Sequence, residues 1–419
     1  MKKDVIKSHA GGKVEMSPKV PINSYDDFSL WYTPGVAEAC KAIEKKKERV
    51  YELTNRWNSV AIMSDGTRVL GLGDIGAEAG LPVMEGKALL FKCLGGVDAI
   101  PICLGTKRAE DIISVCKWLE PSFGGINLED IESPKCFYIL EAASKKLEIP
   151  VFHDDQQGTA VVVLAALKNA LKVAGKKLDE MVVAQIGFGA AGSACAKLYM
   201  KAGVKNKNVR VVDLVNGKPM ILTEDQKGLF PYRSSLLKGT NGDNVKGGTA
   251  EALEGADAVI AFTAPKSIKK EWVKRMAGDP IVFAMANPVP EIMPDEAKES
   301  GARIAATGRS DFPNQVNNSL GFPAIFRGAL DVRARTISEE MCIAAADAIA
   351  GVAEEKGISE EYIVPRMDDP VLYKKEATAV GAKAMEQGIA KVSLSKKELA
   401  ERVEFTIDRA QLKLLSDYR

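Results

Sequence analysis

The chain has 419 residues, of which 46% are hydrophobic and 27% charged, a composition typical of a globular protein with two or three domains. Its 57 Lys and Arg residues balance 56 Asp and Glu residues, so no basic surface for nucleic acid or for an acidic membrane is predicted. The first residues contain no apolar signal segment, and no stretch approaches the roughly 20 apolar residues of a membrane span. These features favour an enzyme acting on a small molecule or a protein-binding role.

The numbers and spacing of cysteine and histidine residues disfavour disulfide bonds, zinc sites and hydrolase triads. The seven cysteines form no CxxC pair, so we interpret them as reduced thiols of a cytoplasmic protein. Only two histidines are present, His9 and His153, which disfavours a His-rich zinc site or a Ser-His-Asp hydrolase.

The N-terminal part of the chain has the pattern of an α/β layer. Residues 1–22 are predicted to form a loosely structured arm. Apolar runs and helical periodicity then alternate up to about residue 150, with strands at 59–65 and 99–105 and helices at 85–96 and 109–121.

The following part has the pattern of a doubly wound nucleotide-binding fold. A long helix is predicted to begin at Thr159 as its N-cap, and the chain then alternates between apolar strands and helices. The predicted strands are 181–187, 209–214, 257–262 and 280–288, and a helix is predicted at 190–202.

The chain becomes helical from about residue 336, where Thr336 and Glu339 could form a capping box. The last segment is amphipathic and is expected to pack on the first domain or on a partner subunit. We therefore predict an α/β protein with an N-terminal α/β domain (1–158), a Rossmann-like doubly wound domain (159–345) and a C-terminal helical segment (346–419).

A dinucleotide-binding motif lies in the second predicted domain. The sequence GFGAAG follows an apolar strand and opens a helix; its residues are Gly187, Phe188, Gly189, Ala190, Ala191 and Gly192. The first glycine permits a tight turn, the second lets the backbone approach a pyrophosphate, and the third allows close packing of helix and strand. A glycine-rich turn in an ordinary βα unit is the plain alternative.

Asp213 stands at the end of the next strand, about 20 residues after the motif, where an acid can hold the ribose 2′-hydroxyl of NAD. The same acid would repel the 2′-phosphate of NADP, although the nearby Lys218 could offset that repulsion. The sequence leaves both cofactors open, with a lean to NAD.

Two pairs of adjacent acids stand in apolar surroundings, Glu129-Asp130 and Asp154-Asp155. Buried paired carboxylates are costly unless a cation or a proton neutralises them. Carboxylates without histidine or cysteine partners suit Mg²⁺ or Mn²⁺. Neighbours in an extended segment point to opposite faces, so Asp154 and Asp155 need not share one role. The spacing alone fits solvated loop acids equally well, and it does not show that the two pairs meet.

Several long blocks, in order over about residues 20–385, resemble the malic enzymes of the short prokaryotic type. They are WYTPGVA (31–37), TRVLGLGDIG (67–76), MEGKALLFK (84–92), LEDI (128–131), VFHDDQQGTA (151–160), GFGAAG (187–192), ANPVPE (286–291) and NQVNNSLGFPAIFRG (314–328). The resemblance implies oxidative decarboxylation of L-malate to pyruvate and CO₂, with NAD or NADP, a divalent cation and a homodimeric assembly. The resemblance also implies that residues 1–158 form the malate- and metal-binding domain.

The resemblance also implies individual roles. The metal ligands would be Glu129, Asp130 and Asp155, while Asp154 would orient the catalytic lysine. Lys87 would be the general base and Tyr32 the general acid. Substrate or nicotinamide contacts would come from Arg68, Asn287, Asn317 and Asn318. The family's usual Asn is replaced by His153, a change not expected to alter the ligands.

The residue types fit these roles, although each has a plainer interpretation. A base at Lys87 requires a lowered pKa, which burial and a nearby cation would provide, whereas most lysines place their charge in water. Tyr32 beside Trp31 could simply pack in a core. Arg68 could form a surface ion pair, and Asn287 could be a turn residue.

The sequence is also compatible with three other functions. A malolactic enzyme would retain its cofactor and convert malate to lactate. A catalytically silent NAD-binding protein would act in regulation, although the presence of Tyr32, Lys87 and the acids argues against it. A related dehydrogenase could use a different 2-hydroxy acid.

Overall fold

A computed structural model describes residues 4–417, with the backbone alone for residues 413–417. Residues 1–3 and 418–419, at the ends of the first and third predicted segments, lie outside the described residues. The strands are β1 Ser59–Ser64, β2 Asp98–Cys103, β3 Gly125–Leu128, β4 Val151–His153, β5 Val183–Ile186, β6 Val209–Val215, β7 Lys218–Ile221, β8 Ala258–Ala261, β9 Ile281–Ala284 and β10 Ile304–Thr307.

Helices surround these strands. They are α1 Val5–Ser8, α2 Tyr25–Trp31, α3 Val36–Lys45, α4 Val50–Leu53, α5 Ala77–Gly95, α6 Ala109–Leu119, α7 Lys135–Lys146, α8 Thr159–Val173, α9 Ala190–Lys201, α10 Pro231–Leu236, α11 Thr249–Leu253, α12 Lys270–Val273, α13 Pro294–Glu299, α14 Phe322–Asp331, α15 Glu339–Lys356, α16 Leu372–Glu386 and α17 Lys396–Asp417. Short 3₁₀ turns lie at Lys47–Arg49, Asn55–Asn58, Asn206–Asn208 and Asn318–Leu320, and a π-helical turn at Asp154–Gly158.

Within the described range the strands form two sheets. The first has the order β2-β1-β3-β4 and is parallel throughout. The second has the order β10-β9-β8-β5-β6-β7, parallel except for the edge strand β7. Residues of β1, β5 and β8 are buried on both faces, which explains their continuous apolar runs. The strand order of the second sheet changes direction at β5, where doubly wound folds bind ligands. The predicted α/β class is confirmed.

Local predictions succeeded where apolar runs were long and missed weaker elements. The strands β3, β7 and β10 were not predicted: β3 contains Gly, β7 contains Pro, and β10 has only four residues, two of them Ala. Two predicted caps are wrong. Thr159 is not an N-cap, because a π-helical turn from Asp154 to Gly158 runs directly into α8. At α15 the cap is Ser338 and not Thr336, since the Ser338 side chain accepts a hydrogen bond from Met341 N.

The two sheets share a hydrophobic core. One cluster of buried residues includes Val60 of the first sheet and Val183 of the second. The predicted division at residue 158 stays a prediction, and the chain passes that point inside a continuous helical segment. The C-terminal helix α17 lies against α5, where Gln411 Nε2 donates to Cys93 O at 3.3 Å. No helix of the described chain combines the length and the apolar composition that a bilayer span requires.

A buried ion pair within α14 belongs to a hydrogen-bond network that connects this helix to the first sheet and to α17. Arg327 is fully buried and donates to Asp331 from Nε at 3.0 Å and from Nη2 at 2.8 Å. Its Nη1 donates to Asn58 Oδ1 in the first sheet's entry turn, and Asn58 Nδ2 donates to Gly96 O at 2.9 Å. Arg402 of α17 also donates to Asp331, at 3.1 Å. This network joins the N-terminal sheet, α14 and the C-terminal helix.

We expect Arg327→Met to lower the free energy of unfolding by ~3–5 kcal/mol, because Asp331 is left buried with only Arg402 as a partner. Denaturant unfolding monitored by circular dichroism measures this change. The matched control is Arg366→Met, which removes the exposed pair with Asp368 and should leave the free energy of unfolding nearly unchanged. Equal losses in the two variants would contradict a special role for the buried pair.

Candidate active site

The acids predicted to bind a metal emerge side by side at one edge of the first sheet. Glu129 and Asp130 follow β3, and Asp154 and Asp155 follow β4. The two strands are parallel, and their last residues are register partners. Parallel pairing therefore brings together two acid pairs that lie far apart in the sequence.

Three of these carboxylates converge. Glu129, Asp130 and Asp155 each place one oxygen within 4.8 Å of the others. Asp130 N also donates to Asp155 Oδ2 at 2.9 Å. Asp130 Oδ2 is buried and has no hydrogen-bond partner within the described residues, so it is free to bind a ligand. An all-oxygen donor set of this kind fits a hard divalent cation.

The acids destabilise one another when they are charged. Burial raises the pKa of Asp130 to about 9, and its neighbours Asp155 and Glu129 add to the shift. Burial likewise raises the pKa of Glu129 and of Asp155. A cation among the three oxygens would remove this repulsion.

Lys87 supplies a positive charge to this cluster. Its ammonium group lies 2.7 Å from Glu129 Oε1, pairs with Asp154 and stands 4.3 Å from the centre of the Phe322 ring. Burial alone would lower the pKa of Lys87, but attraction to Asp154, Glu129 and Asp155 outweighs it and raises the pKa. The lysine is therefore held charged unless another cation neutralises the acids.

Asp154 and Asp155 have different partners, for a reason that the sequence did not reveal. The segment from Asp154 to Gly158 is a π-helical turn, so the extended segment assumed from the sequence is wrong. Asp154 accepts from Lys87 and, at 2.5 Å, from Asn318 Nδ2. A Cβ atom on Gly158 would lie 1.8 Å from Asp154 Oδ1, so this glycine makes room for the carboxylate.

His153 lies beside the cluster without contributing charge. Its ring is fully buried, and its Nδ1 lies 3.5 Å from Asp155 Oδ2. Burial lowers the pKa of His153 to about 4, so the imidazole is neutral at pH 7.

The other predicted substrate residues lie at different distances from the acids. Arg68 has an exposed side chain, and its backbone N donates to Asp130 O at 3.0 Å. Asn318 contacts Asp154 directly, whereas Asn317 accepts a hydrogen bond from Ser319 N at 2.9 Å and caps a 3₁₀ turn. Asn287 follows β9, and its carbonyl oxygen would lie 2.8 Å from a Cβ atom on Gly71, in the loop that carries Arg68.

Tyr32 lies apart from these residues. Its side chain is 73% exposed at the end of α2. Within residues 4–417, no hydrogen bond joins its hydroxyl group to Lys87 or to any of the acids. A single chain therefore does not bring the predicted acid and base into contact.

The glycine motif has the geometry of a dinucleotide loop between β5 and α9. Gly187 has φ +86°, and a Cβ atom there would lie 2.4 Å from Phe262 O. A Cβ atom on Gly192 would lie 2.0 Å from Gly187 O, whereas one on Gly189 would meet no atom within 4 Å. Gly187 and Gly192 are thus required by packing, and Gly189 leaves the space that a pyrophosphate needs.

Asp213 lies next to Arg233, a cation that the sequence pattern did not predict. Its carboxylate pairs with Arg233 of α10, and the guanidinium group lies 5.1 Å from the centre of the Phe188 ring. Lys218, the predicted neighbour, lies exposed on β7. No sequence motif marked Arg233, because its position depends on how α10 folds back over the loop.

A cavity of about 690 Å³ lies between α7, α9 and α10 and is not the candidate site. It is lined by Gln156 and Gln157 of the π-helical turn but by none of the clustered carboxylates and none of the motif glycines.

Comparison with known proteins agrees with this geometry. The family model "Malic enzyme, N-terminal domain" matches residues 11–143, and "Malic enzyme, NAD binding domain" matches residues 156–388. The chain is 52% identical to an NAD-dependent malic enzyme of Geobacillus stearothermophilus, over 91% of this chain and 79% of that protein. It is 48% identical to a bifunctional malic/malolactic enzyme of Bacillus subtilis, over 93% and 94% of the two chains.

A solved structure agrees as well. The crystal structure of a malic enzyme from Pyrococcus horikoshii superposes with a TM-score of 0.92 at 58% identity, covering 95% of this chain and 92% of that one. Both matched family domains, the relatives and this structural similarity lead to one conclusion: the chain belongs to the malic enzyme family.

Proposed function

We propose that this protein catalyses the oxidative decarboxylation of L-malate to pyruvate and CO₂, with reduction of NAD or NADP. The observation that carries the proposal is the contact of Lys87 with Glu129 and Asp154 beside three converging carboxylates. Membership of the malic enzyme family and the geometry of the dinucleotide loop support the same function.

A divalent ion, Mg²⁺ or Mn²⁺, would be held by Glu129, Asp130 and Asp155. When bound, it would supply the Lewis acidity that stabilises negative charge during loss of CO₂. The unpartnered Asp130 Oδ2 and the all-oxygen donor set support this assignment.

Lys87 would remove the hydroxyl proton of malate. Asp154 accepts a hydrogen bond from its amine and is itself held by Asn318, and neutralisation of the surrounding acids would lower the pKa of Lys87 from its raised value. Arg68 would bind a malate carboxylate, Asn287 and Asn317 would contact substrate or nicotinamide, and Tyr32 would return a proton to the enolate carbon.

We further propose a homodimer in the cytoplasm, in which Tyr32 of one chain completes the site of the other. Tyr32 is exposed, and α2 carries further exposed apolar side chains, Phe28 and Leu30, which a second chain would cover. All seven cysteines are free, as expected of a protein in a reducing compartment.

The reaction products test the proposal against a malolactic function, which the bifunctional relative from Bacillus subtilis makes a specific second candidate. With L-malate, Mn²⁺ and an excess of NAD or NADP as the hydride acceptor, we expect pyruvate and reduced cofactor to accumulate in equal amounts. Absorbance at the nicotinamide band and chromatography of the acids measure both. Lactate without free reduced cofactor would favour the malolactic function, and no turnover would contradict both.

The Asp155 carboxylate is expected to lower the stability of the folded chain without metal and to raise it when metal is bound. Without added metal, Asp155→Asn should raise the melting temperature, because one repelling carboxylate is lost while the hydrogen bond from Asp130 N can persist. At about 100 times its dissociation constant, Mn²⁺ should stabilise the native chain by ~2.7 kcal/mol and the variant far less. Asp368→Asn, at an exposed position, is the control. Equal stabilisation of the Asp155 variant by Mn²⁺ would refute the ligand assignment.

The roles of Lys87 and Tyr32 are separable by partial reactions. Lys87→Ala should lower malate oxidation and oxaloacetate reduction by roughly 10²–10⁴-fold, the usual contribution of a general base. Tyr32→Phe should retain most oxaloacetate reduction and lose pyruvate formation. Lys92→Ala, on the same helix α5, serves as the control. Equal loss in every partial reaction for both variants would contradict the division of roles.

Mixing the two inactive variants tests the shared site. If one chain supplies Tyr32 and the other Lys87, a heterodimer contains one intact site, and equal mixing should restore about a quarter of the wild-type activity. If each site is built within one chain, the mixture stays inactive, and the proposed sharing is wrong.

A further inference from the structure

Beside the glycine loop lies an ion pair that the family comparison does not assign. Asp213, in the C-terminal half of β6, pairs with Arg233 on α10, and the two side chains are only 27% and 14% exposed. Arg233 also lies over the Phe188 ring, inside the glycine motif. Its Nε is buried and has no hydrogen-bond partner within the described part of the chain. Arg233 therefore retains an unpaired donor next to the acid that the glycine motif predicts to bind the cofactor ribose.

The two residues favour different cofactors. An acid in the position of Asp213 accepts hydrogen bonds from the ribose hydroxyls of NAD and repels the 2′-phosphate of NADP. An arginine forms paired hydrogen bonds with a phosphate and neutralises its charge. Because the guanidinium group already touches Asp213, it lies where a 2′-phosphate would arrive. Stacking on Phe188 keeps it there while its partner changes.

We propose that Arg233 is the residue that allows this enzyme to bind NADP as well as NAD. It stays on Asp213 when NAD binds, and it exchanges Asp213 for the 2′-phosphate when NADP binds, so that the chain accepts both cofactors. The inference rests on the proposed function for its dinucleotide site. It replaces Lys218, the neighbour suggested by the sequence, because Lys218 lies exposed on β7 whereas Arg233 contacts Asp213 directly.

Calorimetric titration of the full chain with NAD, NADP, 5′-AMP and adenosine 2′,5′-bisphosphate tests this proposal. Arg233→Met should weaken the binding of NADP and of the bisphosphate by roughly ten- to a hundredfold, the usual effect of one charge-assisted contact. Binding of NAD and 5′-AMP should change by less than about threefold. Arg233→Lys should recover part of the loss, and Asp213→Asn should shift the preference towards NADP.

The control is Arg275→Met, which removes an exposed pair with Glu254 in the same sheet region and should leave both cofactors unaffected. Melting temperatures exclude misfolding as the cause. Equal changes in NAD and NADP affinity in Arg233→Met would overturn the proposal. A wild-type chain that does not bind adenosine 2′,5′-bisphosphate would overturn it as well.

The titrations also separate this inference from the proposed function. Turnover of malate without a selective effect of Arg233→Met would leave the function intact and refute the inference. The predicted selectivity in binding, without malate turnover by either cofactor, would support the role of Arg233 and refute the function.

Discussion

Repulsion among buried carboxylates is the constraint on which the rest of the site depends. Parallel pairing of β3 and β4 brings Glu129, Asp130 and Asp155 within reach of one another, with Glu129 and Asp130 buried and Asp155 partly buried. Such a cluster is stable only with compensating positive charge. Lys87 supplies one charge, and the three converging oxygens lie close enough together to hold a divalent ion. The need to balance these negative charges accounts for the position of Lys87 and for the kind of ligand, a cation, that the acids would bind.

The same balance connects structure with chemistry. The acids raise the pKa of Lys87, whereas a base must be able to lose its proton. Binding of a cation among the acids would therefore both neutralise the cluster and prepare the lysine for its role. Asn318 supports this arrangement from a distant part of the chain, since it holds the Asp154 carboxylate that contacts Lys87.

Long-range packing holds the parts of the site in register. The buried pair of Arg327 and Asp331 ties α14, just after Asn318, to the first sheet and to α17. At the second sheet, α10 folds over the glycine motif and brings Arg233 to Asp213. In both cases, residues far apart in sequence meet because helices pack back onto a parallel sheet, which local patterns do not encode.

The sequence by itself determined the α/β class, the glycine motif and the acid pairs, because continuous apolar runs mark buried parallel strands and glycines mark positions without space for a side chain. It did not determine the π-helical turn at Asp154, the cap at Ser338 or the strands β3, β7 and β10, since these depend on hydrogen bonds that residue preferences do not specify. Only the tertiary structure decided that the two acid pairs meet, that Tyr32 is exposed and that Arg233 neutralises Asp213. Each of these depends on contacts between distant segments, and the energy of such contacts exceeds any preference that a short stretch of sequence carries.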